Sequence, residues 1–233
     1  MSAPLRVDPA LFTRYPGVLI GVVEVRGIDN ATPRPELTEA LRGAERAARD
    51  RLGATPVAEH ERIAPWREAY RAFGAKPSKY RSSIEALARR VLAGDELPSI
   101  NPLVDLYNRV SLEHLLPAGG EDLAAISGTV ELRFAGEGEP AVELLGAAEA
   151  EPPVPGEVIY ADEIGAVCRR WNWREAARTR LTARTRDALL VVEALPPAGR
   201  PQLEAALAEL TGSVERLLGG ATARTVLEAD SPR

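Results

Sequence analysis

Residues 17–25, GVLIGVVEV, form a run rich in β-branched side chains and apolar but for Glu24, closed by Pro16 on one side and Gly27 on the other. A run of that length and composition between two breakers reads as a buried strand. The period then changes to that of helices. Pro35–Arg51 carries Leu37, Ala40, Leu41, Ala44 and Ala48 at helical spacing, with Gly53 as a stop. Over 61–73 the apolar positions Ile63, Trp66, Tyr70 and Phe73 recur every three or four residues before Gly74. Ser82 or Ser83 caps a third helix ending at Gly94, and Asn101-Pro102 opens a fourth that runs to about Leu116.

Beyond that point the period drops to two. TVELRF (129–134), AVELL (141–145), EVIYA (157–161) and ALLVVEAL (188–195) read as strands. EAEPPVPGE (149–157) reads as a proline-rich loop, 199–218 returns to helical spacing, and the last dozen residues are expected to fray. The expectation is one α+β domain over residues 1–233, with helices gathered in the first half and strands in the second.

With 45% apolar and 27% charged residues among 233, neither disorder nor a fibrous repeat fits. One cysteine and two histidines cannot build a four-ligand zinc site of the usual kind, and a lone thiol cannot close an internal disulfide. No metal and no cofactor is therefore expected. Neither a leader of signal-peptide type nor a membrane-length apolar stretch is read, so the expectation is a cytoplasmic protein with no membrane partner.

A net charge of −5 argues against a surface coated throughout by nucleic acid, but two basic segments lie within it. CRRWNWREAARTRLTARTR (168–186) combines two tryptophans, Asn172 and seven arginines, the mixture that holds phosphates while stacking an unpaired base. Arg169, Arg170, Trp171 and Arg174 are its RNA-binding candidates. The bland alternative is a surface loop whose tryptophans pack on the core. Lys76, Lys79 and Arg81, near Trp66, Tyr70 and Tyr80, form a second and weaker patch.

Signs of covalent catalysis are few. Cys168 sits in the apolar piece GAVC, neither His60 nor His114 is near it in sequence, and no nucleophile elbow, P-loop or dinucleotide motif is present. Two acids differ from the many that fit solvated faces. Asp105 shares a helix face with Asn101 and Asn108, either as a dipole partner or as part of a polar row. Glu193 interrupts ALLVVEAL, so it is either a buried carboxylate in need of a partner or an edge residue.

The stretch Asn101–Asp122, NPLVDLYNRVSLEHLLPAGGED, resembles the B3/B4 domain of the bacterial phenylalanyl-tRNA synthetase β subunit. Asn101, Val104, Asp105, Asn108, Glu113, Pro117 and Asp122 match without a gap, and the likeness runs on through Leu144-Leu145-Gly146, EVIYAD and TRDALLVVEA, strongest over about residues 60–195. The resemblance implies a mainly antiparallel sheet flanked by helices and an aminoacyl-tRNA deacylase acting in trans, hydrolysing mischarged tRNA with a positioned water and no covalent intermediate. Synthetase modules are absent from this stretch. In the family a histidine lines the editing pocket where this chain has Gly119, and a Gly-Gly turn corresponds loosely to Arg170–Trp173. Asn101, Asn108, Gly119 and Gly120 are expected as catalytic donors, and Glu193 and Asn172 as readers of the substrate side chain. The alternative is a module that binds tRNA or an amino acid on the same fold without hydrolysis.

Overall fold

The computed structural model describes residues 4–53 and 56–229. Strand β1 (Leu5–Val7) and helix α1 (Pro9–Arg14) precede β2 (Leu19–Arg26), which is the apolar run. Helices α2 (Pro35–Leu52), α3 (Ala64–Ala72), α4 (Ser83–Leu92) and α5 (Pro102–His114) follow. Then come β3 (Ala118–Asp122), β4 (Val130–Phe134), β5 (Val158–Ala161), β6 (Ala166–Arg169), β7 (Arg174–Glu175), β8 (Ala188–Ala194), α6 (Arg200–Leu218) and β9 (Ala221–Leu227).

The class is α+β. One sheet has the order β1-β4-β5-β6-β7 and is antiparallel except where β1 runs parallel to β4. The other, β3-β8-β2-β9, is antiparallel throughout. Alternation along β8 and β2 decides how the layers stack. Leu189 on β8, with Ile20 and Val22 on β2, meets Val130, Leu132, Val158, Tyr160 and Val167 of the first sheet, together with Trp66 and Tyr70 of α3 and Ile84 and Val91 of α4. The intervening residues Leu190, Val192, Leu19, Val23 and Val25 meet α5 and α6 on the opposite face, through Leu106, Val110, Leu203, Leu207 and Leu210. Every β2 side chain from Leu19 to Val23 therefore has a layer to bury against, and each such aliphatic contributes about 1.5–3 kcal/mol.

Helix ends follow local chemistry. The Asn101 carboxamide accepts the Val104 N–H at 3.1 Å, with Pro102 at the first helical position. Ser82 accepts the Glu85 N–H at the start of α4. Gly74, at φ +88°, ends α3 in the left-handed region.

Three expectations are corrected. Residues 141–145 make only two isolated bridges, Val142 to Glu151 and Leu144 to Ala176, because Gly146 and the proline loop turn the chain away before a ladder can extend. The C-terminal dozen does not simply fray, since β9 pairs with β2 over Ile20–Arg26; residues 230–233 lie outside the described range. The short strands β3, β6 and β7 lie where no strand is expected from the sequence: the glycine stretch given as candidate donors, the apolar piece GAVC and the basic segment.

Candidate functional site

A polar layer lies between the two sheets. Glu193 is 1% exposed, on the face of β8 that looks toward the first sheet. Its Oε1 accepts from the Tyr160 hydroxyl at 2.5 Å and from the Trp171 indole N–H at 2.7 Å; its Oε2 accepts from the Asn172 amide at 2.5 Å. A carboxylate offers about four acceptor positions, so three are filled. Burial pushes this carboxyl from 4.5 up to about 7, while the three donors pull it back. Of the two readings offered by the sequence, the buried and partnered one is observed.

Tyr160 stands on β5, and the other two donors, Trp171 and Asn172, are delivered by the turn from β6 to β7. Arg170 and Trp171 hold φ of +48° and +65°, the left-handed region that favours glycine. Holding two bulky residues there costs about 1–3 kcal/mol each. What offsets it is packing: Trp171 is fully buried, 4.8 Å from the Tyr15 ring and edge-on to Trp66 at 5.1 Å, and the Asn172 carbonyl accepts the Ser83 N–H at the head of α4. The Tyr70 hydroxyl donates to the Asn172 side-chain oxygen at 2.9 Å, which fixes the amide with its N–H toward Glu193.

The arginine segment is not the exposed loop the composition suggested. Arg169 is fully buried and forks onto Glu157 with bonds of 2.8 and 2.9 Å, a committed internal pair that has no face for a phosphate. Trp171 is core. Arg170 is also buried, its guanidinium 3.8 Å from the Tyr80 ring and 4.7 Å from that of Trp173. Half-exposed Arg174 covers Trp173 at 4.8 Å, and exposed Lys79 lies 5.1 Å from the Tyr80 ring. The result is a ladder of alternating cations and rings. Lys76 is exposed and Arg81 half-buried nearby.

Beside Glu193's donors lies a cavity of about 40 Å³, lined by Gly119, Gly120, Glu121, Tyr160, Cys168, Trp171, Asn172 and Glu175, with Leu5, Val130, Val167, Leu189 and Val191 as its apolar wall. Such a volume admits one to three waters or a small polar head group, not a whole amino acid. Ladder phase sets the glycines' roles. The Glu193 N–H donates to the Pro117 carbonyl, so Gly119, paired with Val191, directs its N–H into the β8 ladder, and Gly120 directs its N–H outward. That outward N–H meets the Glu175 carboxylate.

Glu121 and Glu175 were not foreseen as site residues. The first hides in AGGED, whose two glycines carry no strand pattern and whose pairing with β8 alone turns it inward; the second follows the WNWR cluster directly, and only its register opposite Cys168 shows that it faces inward. Burial and then the Glu175 charge push Glu121 well up, and burial raises Glu175. Burial and the neighbouring Glu175, Glu121 and Glu193 also push the Cys168 thiol well above its usual range, which keeps it a thiol and not a nucleophile.

Asn101 and Asn108 stand apart from this cavity. Asn101 accepts from Val104 and from the Asn30 amide at 3.0 Å, donates to the Leu181 carbonyl at 3.3 Å, and lines a separate surface cleft with Asn30 and Asp105. Asp105 is buried, bound by the Ser99 hydroxyl and, at 2.9 Å, by the Ile100 N–H. These side chains anchor α5 to separate loops; they do not form one cluster under the cavity. Asn108 is half-buried and lines neither space. Elsewhere, His114 meets Glu209 at 2.8 Å. Among the described residues, no three His, Cys, Asp or Glu side chains group to hold a metal, and no helix is long and apolar enough to cross a membrane.

Comparison with known proteins adds a family. A family model described as the B3/4 domain matches residues 65–215. No curated protein matches. Among solved structures, an N-terminal fragment of the phenylalanyl-tRNA synthetase β subunit from Pyrococcus horikoshii aligns with 11% identity and a TM-score of 0.48, covering 95% of this chain and 50% of that one. The chain thus spans about half the length of that fragment.

Proposed function

The chain belongs to the B3/4 domain family, and on that premise we propose that it receives the aminoacyl end of a tRNA between its two sheets and hydrolyses the ester in trans. The observation that carries this reading is the inter-sheet polar layer: a buried glutamate with one acceptor position left, beside an amide, an outward backbone N–H and an apolar wall. Those are the parts a pocket needs to read one small ligand. In this reading Glu193 and Asn172 test the ligand's side chain for a polar group, and the cation–ring ladder at Tyr80, Arg170 and Trp173 stacks the terminal base.

Ester cleavage asks for no protein nucleophile. A water held in the cavity attacks the carbonyl carbon, the adjacent ribose hydroxyl relays a proton to the leaving oxygen, and the Gly120 N–H and the Asn172 amide are the donors within reach of the developing oxyanion. Asn101 and Asn108 take no part. With only about 40 Å³ free, admission of the ligand requires the half-buried Asn172 side chain to move aside.

One observation favours a second reading, a module that binds without hydrolysis: the Gly120 N–H and the Asn172 amide already have internal acceptors. The two readings separate in one assay, ester loss from tRNAs charged with each amino acid, with chelator present. Faster loss for one or a few amino acids is expected. Binding with no acceleration for any of them leaves the non-catalytic module, and a reaction abolished by Cys168→Ala overturns the water mechanism.

A further inference from the structure

The end of the cavity away from Glu193 has two carboxylates and no cation. Along β3, the Gly120 position faces the helices, where an added Cβ would stand 2.3 Å from Leu190 Cδ2 and 3.4 Å from Leu181 Cδ1. Gly119 and Glu121 therefore face the first sheet. From that sheet Glu175, opposite Cys168, lines the same cavity. Glu121 is 8% exposed; the Thr179 hydroxyl lies beside it, but neither that hydroxyl nor Glu121 Oε2 reaches a partner in hydrogen-bond geometry.

The neighbouring arginines are committed elsewhere. Arg169 is held by Glu157, Arg178 by Asp162, Arg174 lies over Trp173, and Arg180 donates to the Ala177 carbonyl. Among the described residues no ion pair reaches Glu121 or Glu175. Two carboxylates lining one small cavity, Glu121 buried and Glu175 half-buried, repel and require either a shared proton or a cation between them.

We propose that Glu121 and Glu175 form the seat for a primary ammonium, the α-amino group of the amino-acid ligand. Three points select that cation. Its three N–H donors suit a free Glu121 oxygen and a Glu175 carboxylate that so far takes one backbone donor. A cavity of about 40 Å³ fits an ammonium head and not a guanidinium plane with its five donors. A bound metal would ask for further ligands, and no third His, Cys, Asp or Glu joins the pair among the described residues.

Gly119 belongs to the same device. A Cβ there would lie 3.3 Å from Glu175 Oε1, so a side chain at this position would stand between the carboxylate and an entering amine. The absence of one keeps the seat open. Assigning the amine to an amino-acid ester rests on the function proposed above; the seat itself rests on the carboxylate pair alone.

Two measurements separate these claims. In the first, the full chain with ¹³C-labelled glutamate is titrated with methylammonium chloride while the side-chain carboxyl resonances are followed. Saturable shifts at Glu121 and Glu175, at least tenfold weaker in Glu121→Gln and absent with tetramethylammonium, are expected. No shift, or an equal response to tetramethylammonium, overturns the seat, and both of these outcomes are read on the wild-type protein alone. In the second, 3′-aminoacylamino-3′-deoxyadenosines are compared with counterparts lacking the α-amino group. A preference of tenfold or more for the amine supports the seat, and equal binding overturns it while leaving the aminoacyl-end reading intact. Methylammonium shifts without binding of any aminoacyl adenosine keep the seat and overturn the functional reading.

Discussion

The two ends of the inter-sheet layer hold the same residue type in opposite states. At one end Glu193 is met by a hydroxyl, an indole N–H and an amide, each placed by a different side chain. At the other, the outward Gly120 N–H goes to Glu175 alone, and Glu121, with only the Thr179 hydroxyl beside it, keeps a buried Oε2 outside hydrogen-bond geometry. A buried acceptor surrounded by donors is part of the framework, because removing it orphans every donor aimed at it. A buried acceptor with no donor is an unfilled position, and taking its charge away relieves the fold.

That contrast makes opposite stability predictions. Glu193→Leu leaves three buried donors unpaired at about 1–3 kcal/mol each, so a total loss on the order of 4 kcal/mol is expected in urea unfolding at pH 6. Glu121→Gln and Glu175→Gln are expected to be neutral or stabilising. A loss in the Gln variants as large as that in Glu193→Leu would erase the distinction between the two ends.

The next effect is one of pH, and it sharpens the comparison by titrating it. Because the folded Glu193 carboxyl is raised from 4.5 to about 7, the folded state binds its proton more tightly than the unfolded chain does. The stability this confers is complete below about 4.5 and is lost as pH rises through about 7, a change of about 3 kcal/mol. Urea midpoints taken from pH 5 to pH 8 should fall, and Glu193→Gln should flatten the fall. Glu121, raised by burial and by its neighbour, acts in the same direction. A flat profile across that range would place the carboxylates in water, and a climbing one would mean that the folded protein lowers their pKa.

The framework end was more legible in the sequence than the open end, for a physical reason. A carboxylate inside ALLVVEAL stands out against its apolar neighbours, and the observed β8 face bears that out. Glu121 and Glu175 follow glycines and a basic cluster, where local composition resembles a turn or a solvated loop; only strand pairing, with Leu189 far along the chain for one and with Cys168 across the β6–β7 turn for the other, turns them inward. Long helices with a stripe and a cap, α2, α4, α5 and α6, were readable from spacing alone. The β9 strand was not, because an edge strand with an exposed face needs no apolar alternation. Arginines carry the same lesson: composition could not tell Arg169, locked on Glu157, from Arg174 at the rim.

The rim therefore supplies the third prediction. Lys76, Lys79 and Arg174 keep heads near solvent, so replacing all three by Ala is expected to weaken tRNA binding about tenfold at moderate salt and to lower the slope of log affinity against log salt by about 2–3. Stability should change by no more than about 0.5 kcal/mol per site. Filter binding across a salt series checks both. Unchanged affinity and slope would move the RNA surface away from the ladder and leave the inner layer as a small-ligand site alone.

The smallest expected effect falls on the residue that touches both ends of the argument. Gly119 has no positive φ, so an alanine there meets no backbone penalty, and a strand glycine replaced by alanine commonly gains a few tenths of a kcal/mol by reducing unfolded-state freedom. Its new methyl would lie 3.3 Å from Glu175 Oε1, near enough that the carboxylate must yield by a few tenths of an ångström. Opposed small terms leave the stability of Gly119→Ala within about 0.5 kcal/mol of wild type. The carboxylate that yields is the open one, so the same variant should weaken the methylammonium-induced shifts at Glu175 while the Tyr160, Trp171 and Asn172 resonances around Glu193 stay where they are. Shifts that move at the Glu193 end instead would mean the two ends form one coupled network, and the division drawn between framework and open seat would fall.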